Sequence, residues 1–325
     1  FIIKLFRFIL FLNILFLLYI FINSLTKSSY ISLIFLLLVI VIPEFSYVGS
    51  FSLKVDFILF LTETLSLIFL ISFINKYFCF NNADIEISFL NVFIFFAVLF
   101  SIFGFAIRLS GIYLLLVTSS FYLFFILVNL NIFFKKYKKY LFFLILIFFI
   151  TVVPQLIHQI ITYQNPFYPL DGFWLSFFSG TYAEADWSVE SYRSTLNINL
   201  GIPILNEIYT FVYMSLGFAR SFYSALPFGD FIVHPIDKAG TGWISPAALG
   251  FFLALSYLKK SRLILFLTII FVILFLFWSH NMQIVRAFLA TSIIPVIIYM
   301  VFFYYQKTLI QKHIILILVE VNFVF

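Results

Sequence analysis

Apolar runs follow one another along the chain with little between them until His158. They resume only after a long polar and aromatic insertion. A helix that crosses a bilayer needs about 20 predominantly apolar residues, with a range of roughly 17–25. On that measure spans are expected near Ile2–Ile22, Tyr30–Pro43, Phe57–Phe78, Ser88–Phe105, Gly111–Leu130 and Tyr140–Ile161. After the insertion they are expected near Trp243–Leu258, Leu263–Trp278 and Ala287–Tyr305, with a partial one over His313–Phe325. The expected fold is therefore all-α, a polytopic transmembrane bundle of about ten spans. It divides into an N-terminal bundle (1–161), a non-cytoplasmic insertion (162–241) and a C-terminal bundle (242–325).

The chain turns on His158–Trp174, H-Q-I-I-T-Y-Q-N-P-F-Y-P-L-D-G-F-W. Pro166 and Pro169 lack backbone N–H groups and disfavour helix in the residues before them, Asn165 and Tyr168. Phe167, Tyr168, Phe173 and Trp174 suit the headgroup region, where aromatic rings are enriched. The stretch reads as a membrane helix ending at one surface ahead of a large outer segment.

Composition narrows the class. The chain has 325 residues, of which 64% are hydrophobic and 10% charged, and its mean hydropathy is +1.17. Soluble chains carry about 25% charged residues, so a membrane protein is expected. The net charge of +6 does not point to nucleic acid, because the basic residues lie in short clusters between apolar runs. Cys79 is the only cysteine, which excludes an intrachain disulfide framework and a multi-cysteine metal site. The chain starts at Phe1 and ends within an apolar run, as expected of a fragment.

Positive residues favour the cytoplasmic side of short loops. Lys135, Lys136, Lys138 and Lys139 form the densest cluster, followed by Lys259, Lys260 and Arg262, and by Lys307 and Lys312. Counting spans between them puts the whole insertion on the opposite face. Lys27 and Lys76 then fall inside, while Lys4 and Arg7 violate the rule. The insertion carries seven acids against three bases, so it is acidic within a basic protein. Within it, Asn206–Ala225 reads as a helix that lies on the membrane or dips into it.

Ionisable residues in or beside spans are costly and frequently functional. His158, about one turn before its helix ends, would suit an anionic group or a proton transfer; an interfacial hydrogen bond is the plainer role. Arg108, in the tight A-I-R-L-S-G connection, and Arg286, where a late span begins, both offer a guanidinium fork that fits phosphate. Snorkelling or anchoring at the surface is the alternative for each. Glu44 and Asp56 flank a short outer loop, and with Asp171 they are the candidates for a catalytic base. Glu63 lies inside a span, where pairing with a neighbouring helix is the default. The sequence contains no phosphate-binding loop, zinc-protease helix or serine-hydrolase elbow.

Taken in order, four stretches resemble bacterial polytopic glycosyltransferases of the GT-C superfamily, which use polyprenyl-phosphate-linked sugars. They are Gly49–Asp56 (G-S-F-S-L-K-V-D), Ala106–Gly111 (A-I-R-L-S-G), Ile157–Leu170 (I-H-Q-I-I-T-Y-Q-N-P-F-Y-P-L) and Val285–Pro295 (V-R-A-F-L-A-T-S-I-I-P). The third is similar to an R-N-Y-x-x-T-G-N-P-x-Y-P pattern, with Gln164 in place of glycine and His158 near the usual arginine. The resemblance implies a multi-pass enzyme of the bacterial cytoplasmic membrane, with an envelope glycan, lipid or protein acceptor on the outer face. Arg108, His158, Asn165, Tyr168 and Arg286 would contact donor or acceptor. No cofactor is implied, and a divalent cation is the one addition that the outer carboxylates would accommodate. The family's catalytic acid sits in the first large outer loop, and no residue here matches it. An envelope transporter, flippase or polymer-assembly protein, or a membrane scaffold without catalysis, remains the alternative class.

Overall fold

The computed structural model describes residues 2–41, 56–79, 87–107, 111–163, 254–281, 290–291 and 293–305. Its described elements are helical, with no strand among them. We number them α1 (Ile2–Thr26), α2 (Ser29–Val41), α3 (Asp56–Ile74, extended by a π-helical turn Asn75–Cys79), α4 (Ile87–Ile107) and α5 (Ile112–Val128). Then come α6 (Leu130–Lys136), α7 (Lys138–Thr151), α8 (Val153–Tyr163), α9 (Arg262–Asn281) and α10 (Ile293–Tyr305).

Four stretches are long and apolar enough to cross a membrane: Phe8–Thr26, Ile58–Cys79, Ile87–Ile107 and Lys138–Thr162. α5 and α6 reach that standard only together, and they are bent by 101° at Asn129. The bend has a local cause. Asn129 leaves helical geometry at φ −115°, and its side-chain Nδ2 donates to the Phe125 carbonyl at 2.9 Å. Its backbone N–H is shared between the Phe125 and Ile126 carbonyls. The final carbonyls of α5 are thereby satisfied without continuing the helix. Expected spans five to ten meet the structure in part. Tyr140–Ile161 is the α7–α8 pair, Leu263–Trp278 falls on α9, and the end of Ala287–Tyr305 is α10. The insertion, most of Trp243–Leu258 and the His313–Phe325 stretch lie outside the described residues.

The contacts divide the chain into two compact units. In the first, α1 and α2 form an antiparallel hairpin, and α10 packs on both. The reversal is tight because Lys27 adopts a left-handed conformation, φ 53°, and its N–H reaches the Asn23 carbonyl at 2.8 Å. Ser28 then caps α2, its Oγ accepting from the Ile31 N–H. α10 is buried on all sides from Ile293 to Phe303, as suits a helix apolar around its whole circumference.

In the second unit α4 is central, with α3, α5 and α7 packed around it. Ser66 on α3 donates to the Ala97 carbonyl of α4 at 2.7 Å. Ser101 and Thr118 join α4 to α5 through a buried hydroxyl pair at 2.8 Å. Phe95 meets Tyr140 of α7 edge-on at 5.3 Å. Small residues permit the closest approach. A Cβ placed on Gly111 would lie 2.5 Å from the carbonyl carbon of Gly104 and 2.6 Å from the nitrogen of Phe105. Backbones touch there, as packed membrane helices allow where glycine intervenes.

Candidate functional site

Helix direction in the second unit sorts its polar groups to two ends. Tyr77, near the C-terminus of α3, packs on Phe124 and Phe125 near the C-terminus of α5. Phe95, in the N-terminal half of α4, packs on the first turn of α7. Lys76, Lys135, Lys136, Lys138 and Lys139 therefore share one end of these helices. The start of α3, the α4–α5 reversal and the C-terminus of α8 belong to the other. Asp56 is the first residue of α3. α4 stops at Ile107, and Gly111, just ahead of α5, lies against Gly104. His158 lies 20 residues beyond Lys138 along a helical stretch that runs to Thr162, about 30 Å at 1.5 Å per residue. Of the sequence-derived candidates, His158 is thus placed at that end of the second unit.

α8 carries the most polar of these surfaces. Gln155, His158, Gln159 and Thr162 recur at three- and four-residue spacing and so share a face. Thr162 Oγ1 lies 3.5 Å from His158 Nδ1, at the outer limit of a hydrogen bond. The opposite face is apolar and outward: Ile157 and Ile160 are exposed, and Ile161 is 76% exposed. On the polar face Gln155 and Gln159 are partly buried, while His158 and Thr162 are exposed like the isoleucines. The Oε1 atoms of Gln155 and Gln159 are buried with no hydrogen-bond partner among the described residues. Buried amide oxygens of this kind accept hydrogen bonds from a hydroxyl or amine donor. The glutamines were not among the candidates from sequence, although their i, i+4 spacing within an apolar helix was the available signal.

A second polar locus lies inside the unit. Glu63 is 6% exposed, seven residues into α3, or about 10 Å from the helix start. Its Cγ and the Thr62 Oγ1 each lie 3.5 Å from the point where a Gly104 Cβ would stand. Thr62 turns its hydroxyl onto the carbonyls of Ile58 and Leu59, at 3.0 and 2.8 Å. Ser66, on the same face, is also buried, so this part of α3 has a polar face against α4. The Glu63 side chain therefore packs beside Gly104, three positions before α4 stops at Ile107.

The remaining candidates, Glu44, Arg108, Asn165, Tyr168, Asp171 and Arg286, lie outside the described residues. Among the described residues no group of His, Cys, Asp or Glu has the composition of a metal site. Comparison with known protein families, curated proteins and solved structures finds no match to this chain.

Proposed function

We propose that the chain is an integral membrane glycosyltransferase. It would move a sugar from a polyprenyl-phosphate donor to an envelope glycan, lipid or protein acceptor, on the face away from the lysine-rich end. The observation that best supports this reading is the polar stripe of α8. It runs up to Tyr163 and leads directly into Q-N-P-F-Y-P. Hydroxyl-rich ligands suit such a stripe, since each carboxamide both donates and accepts. In the reaction a carboxylate (Glu44, Asp56 or Asp171) removes the proton from the acceptor hydroxyl as general base. The freed oxygen attacks the anomeric carbon while the bond to the lipid phosphate breaks. Arg286 or Arg108 stabilises the charge that develops on the leaving phosphate.

The test uses membranes containing the full chain, a panel of radiolabelled polyprenyl-phosphate hexoses and extracted envelope acceptors. A charge-assisted contact contributes about 1.5–3 kcal/mol. Arg286→Ala should therefore slow transfer roughly tenfold to a hundredfold. Arg286→Lys keeps the charge without the fork and should recover part of the rate. If Arg, Lys and Ala variants turn over equally as folded protein, the phosphate role fails. If no hexose is transferred by the folded chain, the enzyme reading fails.

Glu63 favours a second reading, an envelope transporter or flippase. A carboxylate buried within a spanning helix is expected where an ion or proton is carried. Uptake or flipping coupled to a proton gradient in proteoliposomes, lost in Glu63→Gln with insertion intact, would select this class over the enzyme.

A further inference from the structure

The bend at Asn129 has a consequence for the lysine-rich end. If α5 follows the membrane normal, α6, turned by 101°, lies nearly in the membrane plane. Its side chains divide accordingly. Phe133 is fully buried and stacks edge-on with Tyr122 at 5.9 Å, pinning α6 to α5. Leu130, Ile132 and Phe134 are exposed, and so are Lys135 and Lys136. Past Tyr137 the chain enters α7, which opens on exposed Lys138 and Lys139 and continues into exposed Phe142 and Phe143. Four ammonium groups thus border an apolar outer surface on two helices.

The ring at this end has the form of an interfacial belt. Tyr137 and Tyr140 lie 6.2 Å apart, and Lys139 Nζ sits 5.4 Å from the Tyr140 ring. On the neighbouring helices Lys76 Nζ lies 4.1 Å from the ring of Phe89. Among the described residues this end of the unit carries five lysines and no acid.

We propose that α6 and the first turn of α7 form a binding site for anionic phospholipid. Lys135, Lys136, Lys138 and Lys139 would hold the headgroup phosphate, and Leu130, Ile132, Phe134 and Phe142 would lie along the acyl chains. Charge complementarity selects an anionic headgroup, and basic residues beside a membrane surface attract such lipids. The exposed apolar residues contiguous with the lysines select a lipid over free phosphate, which has nothing to place against them. The site is independent of the proposed enzymatic reading, because it lies at the opposite end of the helices.

The experiment is native mass spectrometry of the full chain, purified in detergent and titrated with equimolar phosphatidylglycerol and phosphatidylcholine. The unaltered protein should retain the anionic lipid at least about tenfold over the zwitterionic one, given an attraction of roughly fivefold per surface lysine. The preference should shrink with added salt. Combined K135Q, K136Q, K138Q and K139Q should bring it close to unity, while four Lys→Arg changes should keep it. Equal retention of both lipids by the unaltered protein overturns the proposal. So does full retention of the preference in the glutamine variant, or displacement of the lipid by millimolar inorganic phosphate. The salt series needs no variant and so stands even if the glutamine protein misfolds.

Discussion

Replacing Gly111 by alanine tests the packing of the second unit at its tightest point. The added methyl would stand 2.5, 2.6 and 2.8 Å from backbone atoms of Gly104 and Phe105, which cannot swing aside as a side chain would. Either α5 moves away from α4 or the reversal at residues 108–110 distorts. Overpacking of this kind costs about 1–3 kcal/mol. Gly104→Ala is the matched control. Its methyl would meet Glu63 Cγ and Thr62 Oγ1 at 3.5 Å and Leu59 Cδ1 at 3.9 Å, ordinary contact distances. Within a helix, alanine also gains about 1 kcal/mol over glycine, so this variant should match or slightly exceed the parent. The measurement is the midpoint of thermal inactivation in detergent, followed by fluorescence-detected size exclusion at one heating rate, because membrane proteins commonly unfold irreversibly. Gly111→Ala should fall by about 2–12 °C on the usual conversion for a unit of this size. Equal midpoints, or a larger loss from Gly104→Ala, would show that the helices do not meet through backbone at Gly111.

Two further outcomes are expected. A double-mutant cycle on Ser101→Ala and Thr118→Ala should return a coupling of about 0.6 kcal/mol, typical of hydroxyl pairs between membrane helices; zero coupling would separate α4 from α5 at that level. In a Cys79→Ala background, Ser179→Cys and Ser188→Cys should react with an impermeant thiol reagent in intact cells, and Lys138→Cys only after permeabilisation; the reverse pattern would invert the sidedness derived from the lysines.

The helices of the N-terminal half were legible because apolar run length is a direct consequence of bilayer thickness. α1 extends beyond the expected Ile2–Ile22 to Thr26 because Thr26 turns its hydroxyl back onto the Ile22 carbonyl and Lys27 then closes the helix. The expectation at Gly111–Leu130 ends within two residues of the observed α5, yet α6 was not anticipated. Nothing in L-N-I-F-F-K-K separates a short in-plane helix from a connection, because the difference lies in how Asn129 and Phe133 bond and pack. Within the spans, charge is the signal that singles out residues in the sequence. That criterion found His158 and Glu63, but it passed over Gln155 and Gln159, whose neutral amides become informative only once their oxygens are known to be buried. It also passed over Asn91, fully buried on α4 with neither amide atom hydrogen-bonded among the described residues.

Because α5 stops at Asn129, its 17 residues measure about 25 Å, short of a hydrocarbon core of about 30 Å. The continuous stretch Lys138–Thr162 in the same unit measures about 38 Å over 25 residues. A bilayer around this unit would meet helices of unequal length. If both cross one bilayer, lipid beside α5 would thin and α7–α8 would lean to keep its ends at the surfaces. The unit would then impose a gradient of thickness on the surrounding membrane, and its own tilt would respond to the acyl-chain length of the lipids that supply it.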